Sequence, residues 1–164
     1  MRTSATRAAL FAAFCLAALP LAPASAQNVI LNKAGAAPTT LTAEALKGLP
    51  RVRLEVKAGS GVDVYEGPAL SHLMREAGIP VGPRAHRDPM RGYLVVRGAD
   101  GYRVVVSAAE ADKELHQGGV ILADTLNGAP LPDAQGPWRL VVDGDLRPWR
   151  SVRQVVSIDY RLAD

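Results

Sequence analysis

The 164-residue chain has one cysteine, two phenylalanines and no large excess of charge of either sign. Cys15, Phe11 and Phe14 all lie within the first 26 residues, so residues 27–164 contain no thiol. This absence excludes a disulfide, a thiolate nucleophile and a cysteine metal ligand from that part of the chain. Without phenylalanine, its core must consist mainly of aliphatic side chains. Seventeen valines dominate these side chains, and branching at Cβ favours β-sheet over helix.

The first 26 residues have the pattern of a secretory signal peptide. Arg2 and Arg7 precede an apolar run, 8–21, and small residues at 24–26 precede Gln27. We therefore expect cleavage near Ala26 and a periplasmic or secreted protein. Residues 27–164 contain no uninterrupted apolar run of about 18 residues, so we expect no membrane span. They show no repeat and no shift in composition, which predicts a single domain.

The net charge of +3 falls to +1 when the signal segment is removed. Without Arg2 and Arg7, 17 lysines and arginines remain against 16 aspartates and glutamates. Binding to nucleic acid without sequence preference requires a large positive field, which this composition does not supply. We therefore expect no nucleic-acid partner.

The residue pattern predicts an α+β domain with mostly antiparallel sheets and short helices. Strands and helices do not alternate as they do in βαβ units. Thr42 is expected to cap a short helix, and a second helix is expected at 70–77. Ser107 is expected to cap a third helix that ends at Leu115. The predicted strands are 51–57, 62–65, 93–96, 102–106, 120–123, 138–142 and 152–160.

Motifs for common catalytic sites are absent. The chain has no Gly-x-Ser-x-Gly elbow and no phosphate loop, and Gly59-Ser60-Gly61 lacks the third glycine of a dinucleotide fingerprint. His72, His86 and His116 are widely spaced, which is more typical of solvated side chains than of a metal site. The sequence therefore assigns no catalytic residue and no metal ligand.

Four arginines near the end of the chain form the strongest polar cluster. Arg139, Arg147, Arg150 and Arg153 fall within fifteen residues, close to Ser151, Trp149 and a glycine loop. Guanidinium groups, a hydroxyl and exposed backbone N–H groups suit a phosphate or carboxylate, and a tryptophan can stack on a flat heterocycle. The alternative is that these arginines form the solvated face of a strand whose core residue is Trp138.

The chain contains five sequence blocks in a specific order: 65–70 with Leu73 and 77–78, then 100–102, 120–131, 136–142 and 150–153. Together these blocks resemble the molybdopterin-binding domain of the sulfite oxidase family, here as a small exported stand-alone version. Their order and spacing match that family across residues 52–162, which is most of residues 27–164.

The resemblance implies the family's α+β fold and a place for a pterin phosphate. In that family, basic side chains and backbone hold the phosphate around the segment matched by Arg150, Ser151 and Arg153, with Arg147 as a neighbour. The family's molybdenum is bound by a cysteine thiolate, which residues 27–164 lack. Asp143 stands where the family commonly has proline, and an acid there would repel the phosphate or require a cationic partner.

Three functions remain open at this point. The first is a non-catalytic binding or accessory module for a small anionic or pterin-like ligand. The second is a molybdopterin-dependent oxidoreductase subunit whose metal site is incomplete or completed by a periplasmic protein partner. The third is a scaffold with a vestigial pocket. The cofactor stays unidentified: the resemblance implies molybdopterin, yet an unfolded exported chain would not be loaded by the family's cytoplasmic route.

Overall fold

The structure is a computed structural model that describes residues 27–82 and 88–164. The proposed signal peptide, 1–26, and His86 lie outside the described residues. Eleven strands are described, numbered in chain order: β1 Val29–Lys33, β2 Thr39–Leu41, β3 Arg51–Ala58, β4 Gly61–Pro68, β5 Gly92–Gly98, β6 Arg103–Ser107, β7 Val120–Ala123, β8 Thr125–Leu126, β9 Ala129–Pro130, β10 Arg139–Val142 and β11 Val155–Leu162. The helices are short: α1 Ala43–Gly48, α2 Leu70–Glu76, α3 Asp88–Arg91 and a 3₁₀ turn at Pro148–Arg150.

A five-stranded sheet forms one side of the domain, in the order β2-β1-β11-β5-β6. All neighbours in it are antiparallel except β1 and β11, which are parallel. One face of this sheet is buried against α1 and α2 in the larger hydrophobic cluster, whose members include Leu31, Leu94 and Ile158. Side chains on a strand alternate between faces, so the opposite face of the sheet is partly exposed, and it carries both polar and apolar side chains.

The strand pair β7 and β10 is buried on both faces. Leu122 and Leu140 belong to the larger cluster, whereas Ile121 and Val141 belong to a second cluster. Every residue of both strands is buried. This explains their continuous apolar sequence, because a strand with core on both sides cannot alternate between apolar and polar residues.

A four-stranded sheet, in the order β3-β4-β8-β9, covers the second cluster. Its strand β4 approaches β7 so closely that a Cβ at Gly67 would lie 2.1 Å from the carbonyl oxygen of Leu122. Gly67 therefore sets the distance between the two layers. Arg51 and Asp124 connect the same layers at the edge, with a bidentate ion pair at 2.6 and 3.1 Å.

The predicted fold class is confirmed: the sheets are mostly antiparallel and the helices few and short. Thr42 caps α1 as expected, since its Oγ1 accepts a hydrogen bond from Ala45 N at 3.2 Å. The predicted helix from Ser107 to Leu115 is wrong, because this segment forms successive turns. Within the described ranges, no helix has the length and apolar character needed to cross a membrane.

Candidate anion-binding site

Arg139 is a buried cation at the start of β10. Its register with Ala123 directs the side chain towards the four-stranded sheet, and the residue is only 8% exposed. Its Nη1 donates to the Tyr65 hydroxyl at 2.8 Å and to Gln135 Oε1, and its guanidinium carbon lies 4.9 Å from the centre of the Tyr65 ring. No carboxylate within residues 27–82 and 88–164 forms an ion pair with it, and its buried Nε has no hydrogen-bond partner there.

Burial is the main reason that the pKa of Arg139 lies below its usual value. Tyr65 and Asp63 oppose this decrease, whereas the positive charge of Arg153 adds to it. Burial likewise raises the pKa of Tyr65, and Arg139 and Arg153 partly offset that increase. Arg153 is therefore close enough to act on both groups. A buried guanidinium that has a second cation nearby and no direct carboxylate partner is an environment that an anion would stabilise.

Arg150 has different neighbours. Its guanidinium binds Asp145 at 2.6 and 3.0 Å and Glu110 at 3.0 and 3.2 Å. The hydrogen bonds that Arg150 donates to Asp145 are the largest cause of its raised pKa, and Glu110 raises that pKa further against the effect of burial. Two carboxylates thus already neutralise Arg150, and the contacts fix the loop 143–150 against the segment that follows β6.

The other predicted site residues lie on this loop or directly after it. Arg147 is exposed. The backbone N–H of Ser151 donates a hydrogen bond to the Pro148 carbonyl oxygen at 3.1 Å. Trp149 is 75% exposed, while its carbonyl accepts a hydrogen bond from the Tyr102 hydroxyl at 2.8 Å. Asp143 forms no ion pair with an arginine in the described part of the chain. The assignment of Arg147, Arg150, Ser151 and Arg153 to a ligand site stays a prediction.

The ring nitrogens of the two described histidines contact backbone groups. His72 Nδ1 lies 3.3 Å from the Pro50 carbonyl oxygen, and His116 Nδ1 accepts from Gly118 N at 3.1 Å. His72 borders a cleft of about 480 Å³ beside α2, which Ser71 and Lys113 also line. In the ranges that the structure describes, no three His, Cys, Asp or Glu side chains are grouped as metal ligands.

Sequence reasoning gave no site role to Tyr65 or Gln135, and one of its two interpretations of the arginine cluster placed Arg139 on the solvated face of a strand. That placement was wrong for Arg139, because both faces of β10 are buried. A signal was present: Arg139 opens the apolar run 140–142, which pairs with the equally apolar 120–123. An apolar strand that pairs with another apolar strand has core on both faces, so this pattern predicts that an arginine within it is buried. The contacts of Tyr65 and Gln135 depend on tertiary packing and have no comparable signature.

The comparisons with known proteins agree with this architecture. The sequence model of the oxidoreductase molybdopterin binding domain matches residues 28–163. The crystal structure of the sulfane dehydrogenase SoxCD from Paracoccus pantotrophus is similar, with a TM-score of 0.63, 21% identity, and coverage of 82% of this chain and 38% of that chain. This chain therefore spans less than two thirds of that protein's length, and the likeness concerns the fold. No curated protein matches the chain. The extent of the family match shows that this chain belongs to the oxidoreductase molybdopterin-binding domain family.

Proposed function

We propose that this chain is an exported binding or accessory module of its family, which binds a small anionic, pterin-like ligand through Arg139 and Arg153. The observation that supports the proposal is the buried Arg139 guanidinium without a carboxylate partner among the described residues. Moving an ion out of water costs several kcal/mol unless an opposite charge compensates. An anionic group of the ligand would supply that charge.

Tyr65 and Gln135 would position the ligand indirectly. Both side chains accept hydrogen bonds from Arg139 Nη1, so they fix the orientation of the guanidinium. Arg153 is exposed and would add a second charge-assisted contact. Ser151, Arg147 and Trp149 would complete the site from the loop, with Trp149 stacking on a flat ring.

The molybdenum centre of the family does not fit the residues present. The resemblance implies a thiolate ligand, and residues 27–164 contain no cysteine. The sulfur atoms in this part of the chain belong to Met74 and Met90, whose thioethers carry no negative charge. The proposal therefore includes no redox step.

Titration calorimetry with a pterin monophosphate, and separately with inorganic phosphate, tests the proposal. Full-length gene product purified from the cell envelope is compared with Arg139→Gln, Arg153→Gln and the control Arg53→Gln, which removes an exposed cation from β3. We expect Arg153→Gln to weaken binding by about 1 to 3 kcal/mol, Arg139→Gln by about 2 to 5 kcal/mol, and the control to leave it unchanged. Affinity that is indifferent to both site substitutions would refute the site. Stoichiometric molybdenum in the purified protein would instead favour the oxidoreductase subunit.

A further inference from the structure

The outer face of the five-stranded sheet is the face opposite the larger hydrophobic cluster. Its middle row runs across Asn32, Asp159, Val95 and Val105, and the row beside it across Ile30, Ser157, Arg97 and Arg103. A third row holds Arg161, Tyr93 and Ser107.

Apolar side chains occupy positions that are normally polar on a solvated sheet face. Val95 and Val105 are directly opposite each other, and Val105 is 55% exposed. Ile30 is 44% exposed, and Tyr93 is half-buried. This face combines tyrosine and arginine with apolar residues and lacks lysine. Such a composition is typical of protein interfaces.

Three guanidinium groups on this face have no counter-ion among the described residues. Arg97, Arg103 and Arg161 are exposed, and none forms an ion pair or a side-chain hydrogen bond within the part of the chain that the structure describes. The carboxylate on the face, Asp159, accepts a hydrogen bond from Asn32 Nδ2 at 2.5 Å. The face therefore has a net positive charge.

Arg97 and Arg103 are also cross-strand neighbours. Like charges directly opposite each other on a sheet destabilise the pairing. Next to them on the same row, the buried Ser157 Oγ has no hydrogen-bond partner among the described residues. The free domain thus has uncompensated repulsion between two exposed guanidinium groups, which an acidic group from outside could relieve.

We propose that the outer face of the five-stranded sheet is the docking surface for a protein partner that presents carboxylates around a small apolar contact. A second copy of this chain does not meet that requirement, because two such faces would bring six arginines together against two aspartates. This surface is distinct from the ligand site, because Arg139 faces the four-stranded sheet on the other side of β10.

Site-specific photo-crosslinking in native cells tests the proposal. A photoreactive residue replaces Val105 in the full-length chain, and the control replaces Val62, which is 54% exposed on β4. We expect Val105, but not Val62, to capture one protein, identified by mass spectrometry, whose crosslinked segment is acidic. Capture of a second copy of the chain, equal capture at both positions, or no capture would overturn the proposal.

The captured protein is then purified, and its affinity is measured for the double variant Arg97→Gln with Arg103→Gln. The matched control removes two exposed cations from β3, with Arg53→Gln and Lys57→Gln. We expect about 30-fold weaker binding for the first variant and less than about twofold change for the control. The melting temperature of the first variant should not fall, because a like-charge pair is removed. Unchanged affinity, or equal binding to phosphatidylglycerol vesicles through the same arginines, would contradict a protein partner.

Discussion

Replacement of Arg139 by methionine separates a ligand-binding role from a structural one. The substitution removes the hydrogen bonds to Tyr65 and Gln135, and bonds to a charged group are worth about 1.5 to 3 kcal/mol each. It also removes the cost of burying an ion, which is several kcal/mol. The terms oppose each other, so we expect the free energy of unfolding without ligand to change by no more than about 1 kcal/mol.

Ligand affinity should respond very differently. If Arg139 supplies the buried counter-charge, its loss should weaken a pterin monophosphate by about 2 to 5 kcal/mol, as for one partner of a buried charge pair. Urea denaturation of the ligand-free protein and calorimetric titration measure the two quantities on the same sample. Arg139→Lys is the control, because it keeps the charge but loses the planar fork.

Two results would refute this reasoning. The first is a loss of more than about 3 kcal/mol in unfolding free energy for Arg139→Met, which would make the guanidinium a net structural element. The second is an unchanged affinity in a folded variant, which would place the anion elsewhere.

Further substitutions test the fold and the loop. Gly67→Ala should lower the free energy of unfolding, measured in urea, by more than about 2 kcal/mol, because the new Cβ would collide with the backbone of β7. An unchanged free energy of unfolding would show that the two layers can separate to make room for it. Thr42→Ala should cost about 1 kcal/mol in the same assay through loss of the α1 cap, and no change would deny the cap a role. Arg150→Met should lower the free energy of unfolding by about 1 to 2 kcal/mol, since two carboxylates lose their shared cation. The same substitution should change phosphate affinity by less than about threefold. A loss as large as that of Arg153→Gln would instead confirm the sequence assignment of Arg150. The intact mass of envelope-purified protein should equal that of residues 27–164, and a mass that includes the first 26 residues would contradict cleavage.

Local patterns were sufficient for the elements that shape the domain. The alternation in 51–57 and the helical spacing at 70–77 reflect one buried face each, and both became regular structure. Strands β1 and β2 were not predicted, because both are short and β1, with which β2 pairs, depends on long-range pairing with β11. The helix expected after Ser107 failed because Asp112 bonds backbone N–H groups at Gly82 and Glu114, which favours turns.

The ligand site in the segment 139–153 stays a prediction. The spacing of its arginines did not distinguish Arg150, which two carboxylates neutralise, from Arg139, which has no such partner in the described residues. Those carboxylates, Glu110 and Asp145, are 40 and 5 residues away in sequence. Charge compensation of this kind depends on the tertiary fold, which sequence spacing does not encode.

Native mass spectrometry of the endogenous protein tests the central claim most directly. We expect the wild-type chain to carry a small anionic ligand without molybdenum, and the Arg139→Met variant, produced in the same cells, to be folded and free of that ligand. Stoichiometric molybdenum on the wild-type protein, or an unchanged ligand on the variant, would contradict the account.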